Sequence, residues 1–220
     1  MKRLLLSMLG GLRWILLQLR GAWAAARLLY DPNRLDEVFA LDRAMPRRVG
    51  ELVVAAVSRH AEGRRALEER RRLSLDLAKL RAMGEGTFGR AVADFYDRNG
   101  LTPAAIPSLE AIDAPSYVTA HLYETHDVWH VATGFGSDVA GELGLQAVYA
   151  AQLPGRLAQL LIAGGLVQAA LWVQRDFAAR LASVAQGHRM GREGAPLFGV
   201  RWDEMWDLPV ETVRSRLGLA

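Results

Sequence analysis

Eighteen consecutive uncharged residues, 157–174, constrain the fold of this 220-residue chain more than any other feature. The length touches the range of a transmembrane helix, but three glutamines and the Gly164-Gly165 pair argue against a segment that faces lipid. A helix this apolar must find cover in the rest of the molecule. We therefore expect it to be either a buried central helix or the wall of a lipid-sized cavity.

The remaining sequence predicts helices throughout, because proline is scarce while Ala, Leu and Arg are frequent. The predicted helices cover residues 3–30, 33–43, 49–60, 62–82, 90–98 and 113–132, a segment after Ser137 or Asp138 that carries Glu142, and the uncharged run. No repeat or low-complexity linker divides the chain, so we expect one all-α domain over residues 1–220, a helical bundle. Cysteine is absent, so a metal site would need nitrogen and oxygen ligands.

The predicted N-terminal helix is basic and amphipathic. Residues 1–30 contain no acidic residue, and Arg13, Arg20 and Arg27 recur every seventh position, which aligns them on one face. Tryptophans and leucines occupy much of the remainder, so the helix can lie at an anionic membrane surface. The alternative is an ordinary core helix with a solvated arginine stripe. Its longest uncharged stretch, residues 4–12, is too short to span a bilayer.

The charged segment 62–82 mixes arginines and glutamates at i,i+4 spacing, which is typical of a solvated helix face. No aromatic residues interleave with these charges to stack on bases, so nucleic acid is not an expected partner. The glycines between Gly84 and Gly89 lack the spacing of a phosphate-binding loop, and they predict a turn that joins two helices.

A candidate metal centre lies in the segment His126-Asp127-Val-Trp-His130, which Glu142 follows after eleven residues. On a helix, Asp127 lies about 100° and His130 about 40° from His126, so the three side chains share one face. A turn at residues 134–136 would bring Glu142 back toward His130, forming a helical hairpin. Two imidazoles and two carboxylates suit a divalent metal. The alternative is two polar histidines that are satisfied within the fold beside a solvated pair of carboxylates.

Such a ligand set is harder than that of a structural zinc site. Zinc is the leading candidate, with Fe(II), Mn(II) and Co(II) as alternatives. A small ligand set leaves positions open for water or substrate, so the four ligands are also candidate catalytic residues.

Other candidate functional residues flank this motif. Tyr123 lies one turn before the ligands and Gln146 one turn after Glu142, where either can orient a ligand or bind a substrate oxygen. Simple packing is the alternative for both. Arg189 and Arg192, beside His188, form a basic cluster that can hold an anionic head group or can be a solvated helix end.

The sequence resembles the Coq4 family of coenzyme Q (ubiquinone) biosynthesis proteins. The similarity is carried by the HDxxH-x11-E pattern from His126 to Glu142 and covers roughly residues 35–220. Further similar segments are Gly86-Thr87-Phe88-Gly89, Asn99-Gly100-Leu101, Pro196-Leu197, Trp202, Trp206 and Leu217-Gly218.

This resemblance implies an all-α fold, peripheral association with a membrane, and a metal held by His126, Asp127, His130 and Glu142. It implies a prenylated 4-hydroxybenzoate-derived quinone precursor as substrate, which loses its C1 carboxyl with hydroxylation there. Other ubiquinone-biosynthesis proteins are the implied partners, and a homodimer stays open. No long targeting sequence is evident, which favours the cytoplasmic face of a bacterial inner membrane over the matrix side of the mitochondrial one.

Two other hypotheses remain. The chain can be a non-catalytic scaffold that binds prenyl lipid and organises a biosynthetic complex, with a structural metal. It can also be a phosphohydrolase of the His-Asp type. That class needs an upstream histidine and a downstream aspartate, and His60 is too far from the motif while His121 is too close.

Overall fold

The computed structural model describes the backbone of residues 2–32 and 34–219 and, within those ranges, the side chains from Trp14 onward. Within these residues the chain forms eleven α-helices and no strand, which confirms the predicted all-α fold. The helices are α1 (Lys2–Tyr30), α2 (Leu35–Arg43), α3 (Arg47–Val57), α4 (Ala61–Glu69), α5 (Leu77–Arg81), α6 (Phe88–Asn99), α7 (Ala114–Thr133), α8 (Val139–Gln152), α9 (Arg156–Trp172), α10 (Gln174–Glu193) and α11 (Val210–Leu217).

The helical hairpin of α7 and α8 has clear local causes. Asp113 caps α7 by accepting a hydrogen bond from the Ser116 N–H at 2.9 Å, and the Ser116 hydroxyl pairs with the Asp113 N–H to complete a capping box. Gly134 ends α7 in the left-handed conformation, with a φ of 81°. Asp138 rather than Ser137 caps α8, since it accepts from the Gly141 N–H at 2.9 Å.

α10 packs closely on α8 through glycines. A Cβ atom at Gly187 would lie only 1.9 Å from the carbonyl oxygen of Gly144, so no larger residue fits at this crossing. On its other side α8 helps to form the main core, in which Trp129 and Leu145 are fully buried. The hairpin is therefore held between α10 and the core.

The predicted helix over residues 62–82 is wrong in its centre. α4 ends at Glu69, Arg70 adopts a left-handed φ of 48°, and the chain is irregular until α5 begins. The Arg70 guanidinium donates to the backbone carbonyls of Ala111 and Ile112, while the Leu73 N–H donates to Glu124. These long-range hydrogen bonds override the helix propensity of the segment.

The uncharged run is not a buried central helix. It forms α9, whose buried residues are Ala158, Gly165, Gln168 and Ala169, while Leu171 and Trp172 are exposed by about 60 %. Other residues of α9 line a large apolar cavity, and whether this cavity holds lipid stays a prediction. The uncharged segment therefore forms part of the wall of a cavity rather than the centre of the core.

α1 confirms the predicted N-terminal helix but changes the role of its arginines. Arg20 and Arg27 lie 2.9 and 2.7 Å from the carboxylate oxygens of the fully buried Glu37, so they attach α1 to α2. The side chain of Arg13 lies outside the described residues. Trp14 and Trp23 are exposed by about 60 %. Among the described helices, none combines the length and the apolar character needed to cross a membrane.

Candidate metal centre

Three predicted ligands converge at the hairpin. His126 and His130, one turn apart on α7, bring their Nε2 atoms to 3.2 Å from each other. Glu142 of α8 places Oε1 3.1 Å from the Nε2 of His130 and Oε2 3.6 Å from the Nε2 of His126. Helical periodicity and the tight turn at Gly134 thus produce a compact cluster of two imidazoles and one carboxylate.

The imidazole of His130 is fixed by its surroundings. It is 1 % exposed, stacks on the ring of Phe95, and has its Nδ1 3.1 Å from the carbonyl oxygen of Phe135. A carbonyl can only accept, so Nδ1 carries a proton, and Nε2 is the nitrogen that faces the cluster. This is the arrangement found in metal-ligating histidines, whose second nitrogen donates to a backbone carbonyl or carboxylate.

His126 has a similar partner in Tyr149 of α8. The Nδ1 of His126 lies 3.3 Å from the Tyr149 hydroxyl, and the two rings are nearly parallel. Tyr149 is itself buried and stacked on Trp129 with ring centroids 4.4 Å apart. Burial, with the charges of Glu142 and Asp127, raises the pKa of Tyr149, so its hydroxyl stays protonated.

The electrostatics of the cluster favour a positive charge between its members. Burial would raise the pKa of Glu142, but hydrogen bonds and charge from the two histidines lower it well below its ordinary value. Burial would lower the pKa of His126, yet hydrogen bonding and charge from Glu142, helped by Asp127, raise it. The carboxylate is thus ionised, and any cation held there is stabilised.

These donors fit a divalent metal. Ligand atoms around a tetrahedral ion with bonds of about 2.0–2.1 Å lie about 3.3 Å apart, which is close to the observed 3.1, 3.2 and 3.6 Å. Two histidines and one carboxylate with open positions suit catalytic zinc and also non-haem Fe(II). The identity of the metal stays a prediction.

Asp127 is not part of this three-residue cluster. Among the described residues, the ligand atoms within 4.8 Å of one another belong to His126, His130 and Glu142. The Asp127 carboxylate instead pairs with the hydroxyl of the buried Tyr96, whose pKa is raised by burial and then by the charge and hydrogen bond of Asp127. Asp127 still lines the cavity described next, and its role as a fourth ligand stays a prediction.

The cluster opens into a large cavity with a volume of about 690 Å³. His126, Asp127 and Glu142 contribute polar groups to its wall. Its apolar lining comes mainly from α1, α2 and α9, including Leu28, Leu29, Val38, Phe39, Leu160 and Leu161. An ionic centre therefore adjoins a pocket suited to a long apolar molecule.

The remaining predicted site residues fall into two groups. Tyr123 and Gln146 both line the cavity, but the Tyr123 hydroxyl donates to Asp42 at 2.6 Å and is not bonded to the cluster. Arg189 and Arg192 lie on the exposed side of α10 and do not line the cavity. A head-group role for these two arginines stays a prediction without support from their position.

The sequence analysis missed the residues that orient the two histidines. Tyr149 lies seven positions after Glu142, about two helical turns, and so about 20° from it on the same face of α8. That spacing is a signal that could have identified it. The Phe135 carbonyl left no such signal, because its direction depends on the conformation of the turn.

Comparisons with known proteins agree on one relationship. The family model "Coenzyme Q (ubiquinone) biosynthesis protein Coq4" matches residues 13–220. A mitochondrial ubiquinone biosynthesis protein COQ4 homolog from Bos taurus is 29% identical over 206 residues, 91% of this chain and 77% of the relative. A mitochondrial coq4 protein from Aspergillus fumigatus is 31% identical over 210 residues, 91% of this chain and 72% of the relative.

A solved structure is similar as well. The crystal structure of a putative ubiquinone biosynthesis protein from Nostoc punctiforme aligns with a TM-score of 0.78 and 29% sequence identity. The alignment covers 91% of this chain and 97% of the other.

Proposed function

Because the chain belongs to the Coq4 family of coenzyme Q (ubiquinone) biosynthesis proteins, we propose that it acts on a prenylated aromatic precursor of the quinone. The proposed reaction removes the ring carboxyl at C1 and installs a hydroxyl there. One observation carries the proposal: the cluster of His126, His130 and Glu142 adjoins an apolar cavity of about 690 Å³, with His126 and Glu142 in the cavity wall. An ionic head and a long apolar tail would each find a matching surface.

The cavity supplies the binding energy for the tail. Leucines and other apolar residues of α1, α2 and α9 line it, and its volume falls within the range of about 300–1,000 Å³ of small-molecule sites. Burial of each methylene contributes about 0.8 kcal/mol, so the tail dominates affinity while the polar end sets position. The aromatic carboxylate would then face the cluster.

The residues of the cluster prepare the polar end. Phe135 and Tyr149 hold the imidazoles of His130 and His126, and Glu142 stays ionised beside them. A divalent metal held by these three side chains would supply Lewis-acid stabilisation of the negative charge that develops as carbon dioxide leaves. The Asp127–Tyr96 pair adds a proton-bearing hydroxyl next to this region. Replacing the carboxyl by a hydroxyl is a two-electron oxidation, in which the aromatic acid, dioxygen and water would give the phenol, carbon dioxide and hydrogen peroxide.

A scaffold that binds prenyl lipid without turning it over is the second candidate.

Exposed apolar side chains of α1 and α9, among them Trp14, Trp23, Leu171 and Trp172, favour a peripheral place at a membrane surface. In this proposal the same surface meets the membrane that holds the precursor and other biosynthetic proteins. The protein would lie on the cytoplasmic face of a bacterial inner membrane or on the matrix side of the mitochondrial inner membrane. The mitochondrial names of the relatives favour the second location.

The test is a turnover assay on purified, metal-loaded protein with a prenylated 4-hydroxybenzoate-type acid in air, followed by mass spectrometry of the product. The enzyme hypothesis predicts that the unaltered chain releases carbon dioxide from the acid and that His126→Ala does not. The control variant His188→Ala, which changes an exposed histidine of α10, should release carbon dioxide as the unaltered chain does. Lipid binding without turnover would select the scaffold. Full activity of His126→Ala would exclude the metal centre from catalysis.

A further inference from the structure

A second, smaller cavity lies on the other side of α7. Its volume is about 40 Å³, and it shares no lining residue with the large cavity. α7 contributes Tyr117, His121 and Thr125, which recur every fourth residue and so lie about 180–260° around the helix from His126. α4, the segment after it and residues 199–203 form the rest of the wall.

Unsatisfied hydrogen-bonding atoms concentrate in this wall. Among the described residues, five buried side-chain nitrogen atoms lack a hydrogen-bond partner, once the Glu37 oxygens that pair with Arg20 and Arg27 are set aside. Four of the five belong to three residues of this cavity: both ring nitrogens of His121, the Nε of Arg201 and the Nε1 of Trp202. A buried polar atom without a hydrogen-bond partner destabilises the folded protein by about 1–3 kcal/mol, so a bound group that pairs with these atoms would stabilise it.

The missing partner must be mainly an acceptor. Trp202 Nε1 and Arg201 Nε can only donate, and a neutral His121 donates through one nitrogen. Burial, with the charge of Arg72, lowers the pKa of His121 to about 4, which keeps the ring neutral near pH 7.

The cavity wall also contains one guanidinium that takes part in no ion pair among the described residues. Four arginines line the cavity, and three of them form ion pairs: Arg71 with Asp203 at 2.6 Å, Arg201 with Glu69 at 2.8 Å, and Arg72 with Glu124 at 2.7 Å. Glu204 pairs with both Arg71 and Arg201. The fourth, Arg65, is half-buried and has no carboxylate partner among the described residues. A guanidinium and several N–H donors around one small space are suited to an oxyanion.

We propose that this cavity binds a phosphate-sized oxyanion through Arg65, Arg201, Trp202 and His121. A volume of about 40 Å³ holds roughly three water molecules, at about 10–15 Å³ each, which is the space of one phosphate group. The group belongs to free phosphate or to a phosphorylated small molecule or lipid head. His121 and Thr125 join this site to the helix that carries His126, yet the proposal does not depend on the metal centre.

The test follows the indole N–H signal of Trp202 in a ¹H–¹⁵N spectrum of the full chain during titration with inorganic phosphate, with sodium chloride at matched ionic strength as the blank. We expect a saturable shift with phosphate alone. Arg65→Gln should weaken binding about tenfold, because it removes a charge-assisted hydrogen bond. Arg59→Gln, which changes an exposed arginine outside the cavity, should leave binding unchanged.

One further variant separates this site from the metal centre. Glu142→Gln should bind phosphate as the unaltered chain does, and loss of binding there would place the anion at the metal centre and overturn the proposal. A Trp202 signal that does not respond to phosphate would mean that only water fills the cavity. A signal that moves equally in Arg65→Gln would mean that Arg65 does not bind the anion, and either result would overturn the proposal. Stabilisation by phosphate in thermal unfolding should follow the same order of variants. A short-chain phosphatidic acid that binds more tightly than phosphate would identify a lipid head as the source.

Discussion

The hydroxyl of Tyr149 offers a sharp test of how the metal centre is held. The substitution Tyr149→Phe removes one oxygen atom 3.3 Å from the Nδ1 of His126 and leaves the ring in place. The stacking on Trp129, at 4.4 Å between centroids, should therefore persist, and the fold should lose at most about 1 kcal/mol. What changes is the orientation of one proposed metal ligand, His126.

The size of the effect follows from that contact. Loss of a group that orients a metal-ligating histidine lowers metal affinity by about 10–100-fold. The contact is long for an N–H···O hydrogen bond, so we expect the lower end, about tenfold, or about 1.4 kcal/mol. The His130 contact to Phe135 is a backbone one and stays unchanged in the variant.

The assay is competition for zinc between the protein and a chromophoric chelator. Tyr123→Phe is the matched control, because it removes a tyrosine hydroxyl that bonds Asp42 rather than the cluster. We expect a weaker zinc complex for Tyr149→Phe and an unchanged one for Tyr123→Phe. Equal zinc affinity in the unaltered chain and Tyr149→Phe would refute the assignment of Tyr149 as the residue that positions His126.

Three further predictions concern packing, pH and the membrane. Gly187→Ala should lower the free energy of unfolding in urea by about 3 kcal/mol, because its Cβ would meet the Gly144 carbonyl at 1.9 Å. Gly155→Ala, whose added Cβ has no described atom within 4 Å, should leave the free energy of unfolding unchanged. Equal losses of free energy in the two variants would contradict the close packing of α10 on α8. The Ser116 side chain and backbone, then Arg47, lower the pKa of Asp113 to about 2, so its contribution to stability is full above about pH 4 and is lost toward pH 2. The melting temperature of Asp113→Asn should thus fall below that of the unaltered chain at neutral pH and equal it near pH 2. A difference in melting temperature that is the same at both pH values would refute the assignment of this stability to the ionised Asp113 carboxylate. Trp14→Ala with Trp23→Ala should reduce cosedimentation with phosphatidylglycerol–phosphatidylcholine vesicles by about tenfold or more, while Leu181→Ala, an exposed apolar residue of α10, serves as the control. Unchanged cosedimentation of the double variant would contradict the placement of α1 at the membrane surface.

Local signals in the sequence were sufficient for much of the fold and for three residues of the site. Asp113, Pro115 and Gly134 fix the ends of α7 through interactions within a few residues, so its bounds follow from the sequence. His126 and His130 share a face for the same reason, since helical periodicity is local. The short turn then leaves little choice about the position of Glu142.

Long-range contacts decided what the sequence could not show. Arg70 leaves the helix because carbonyls of residues 111 and 112 accept its hydrogen bonds. Asp127 has the angular position of a ligand, yet its pairing with Tyr96 of α6 is set by packing between helices. The uncharged residues of α9 look the same in sequence whether a core or a cavity faces them.

The metal content of protein purified without oxygen tests the central claim most directly. We expect about one divalent ion per chain in the unaltered protein and in His188→Ala. Glu142→Gln, a nearly isosteric change of a partly exposed, proposed ligand, should lose most of the metal while keeping the helical circular dichroism signal. Protein without stoichiometric metal, or a Glu142→Gln variant that retains it, would contradict the account.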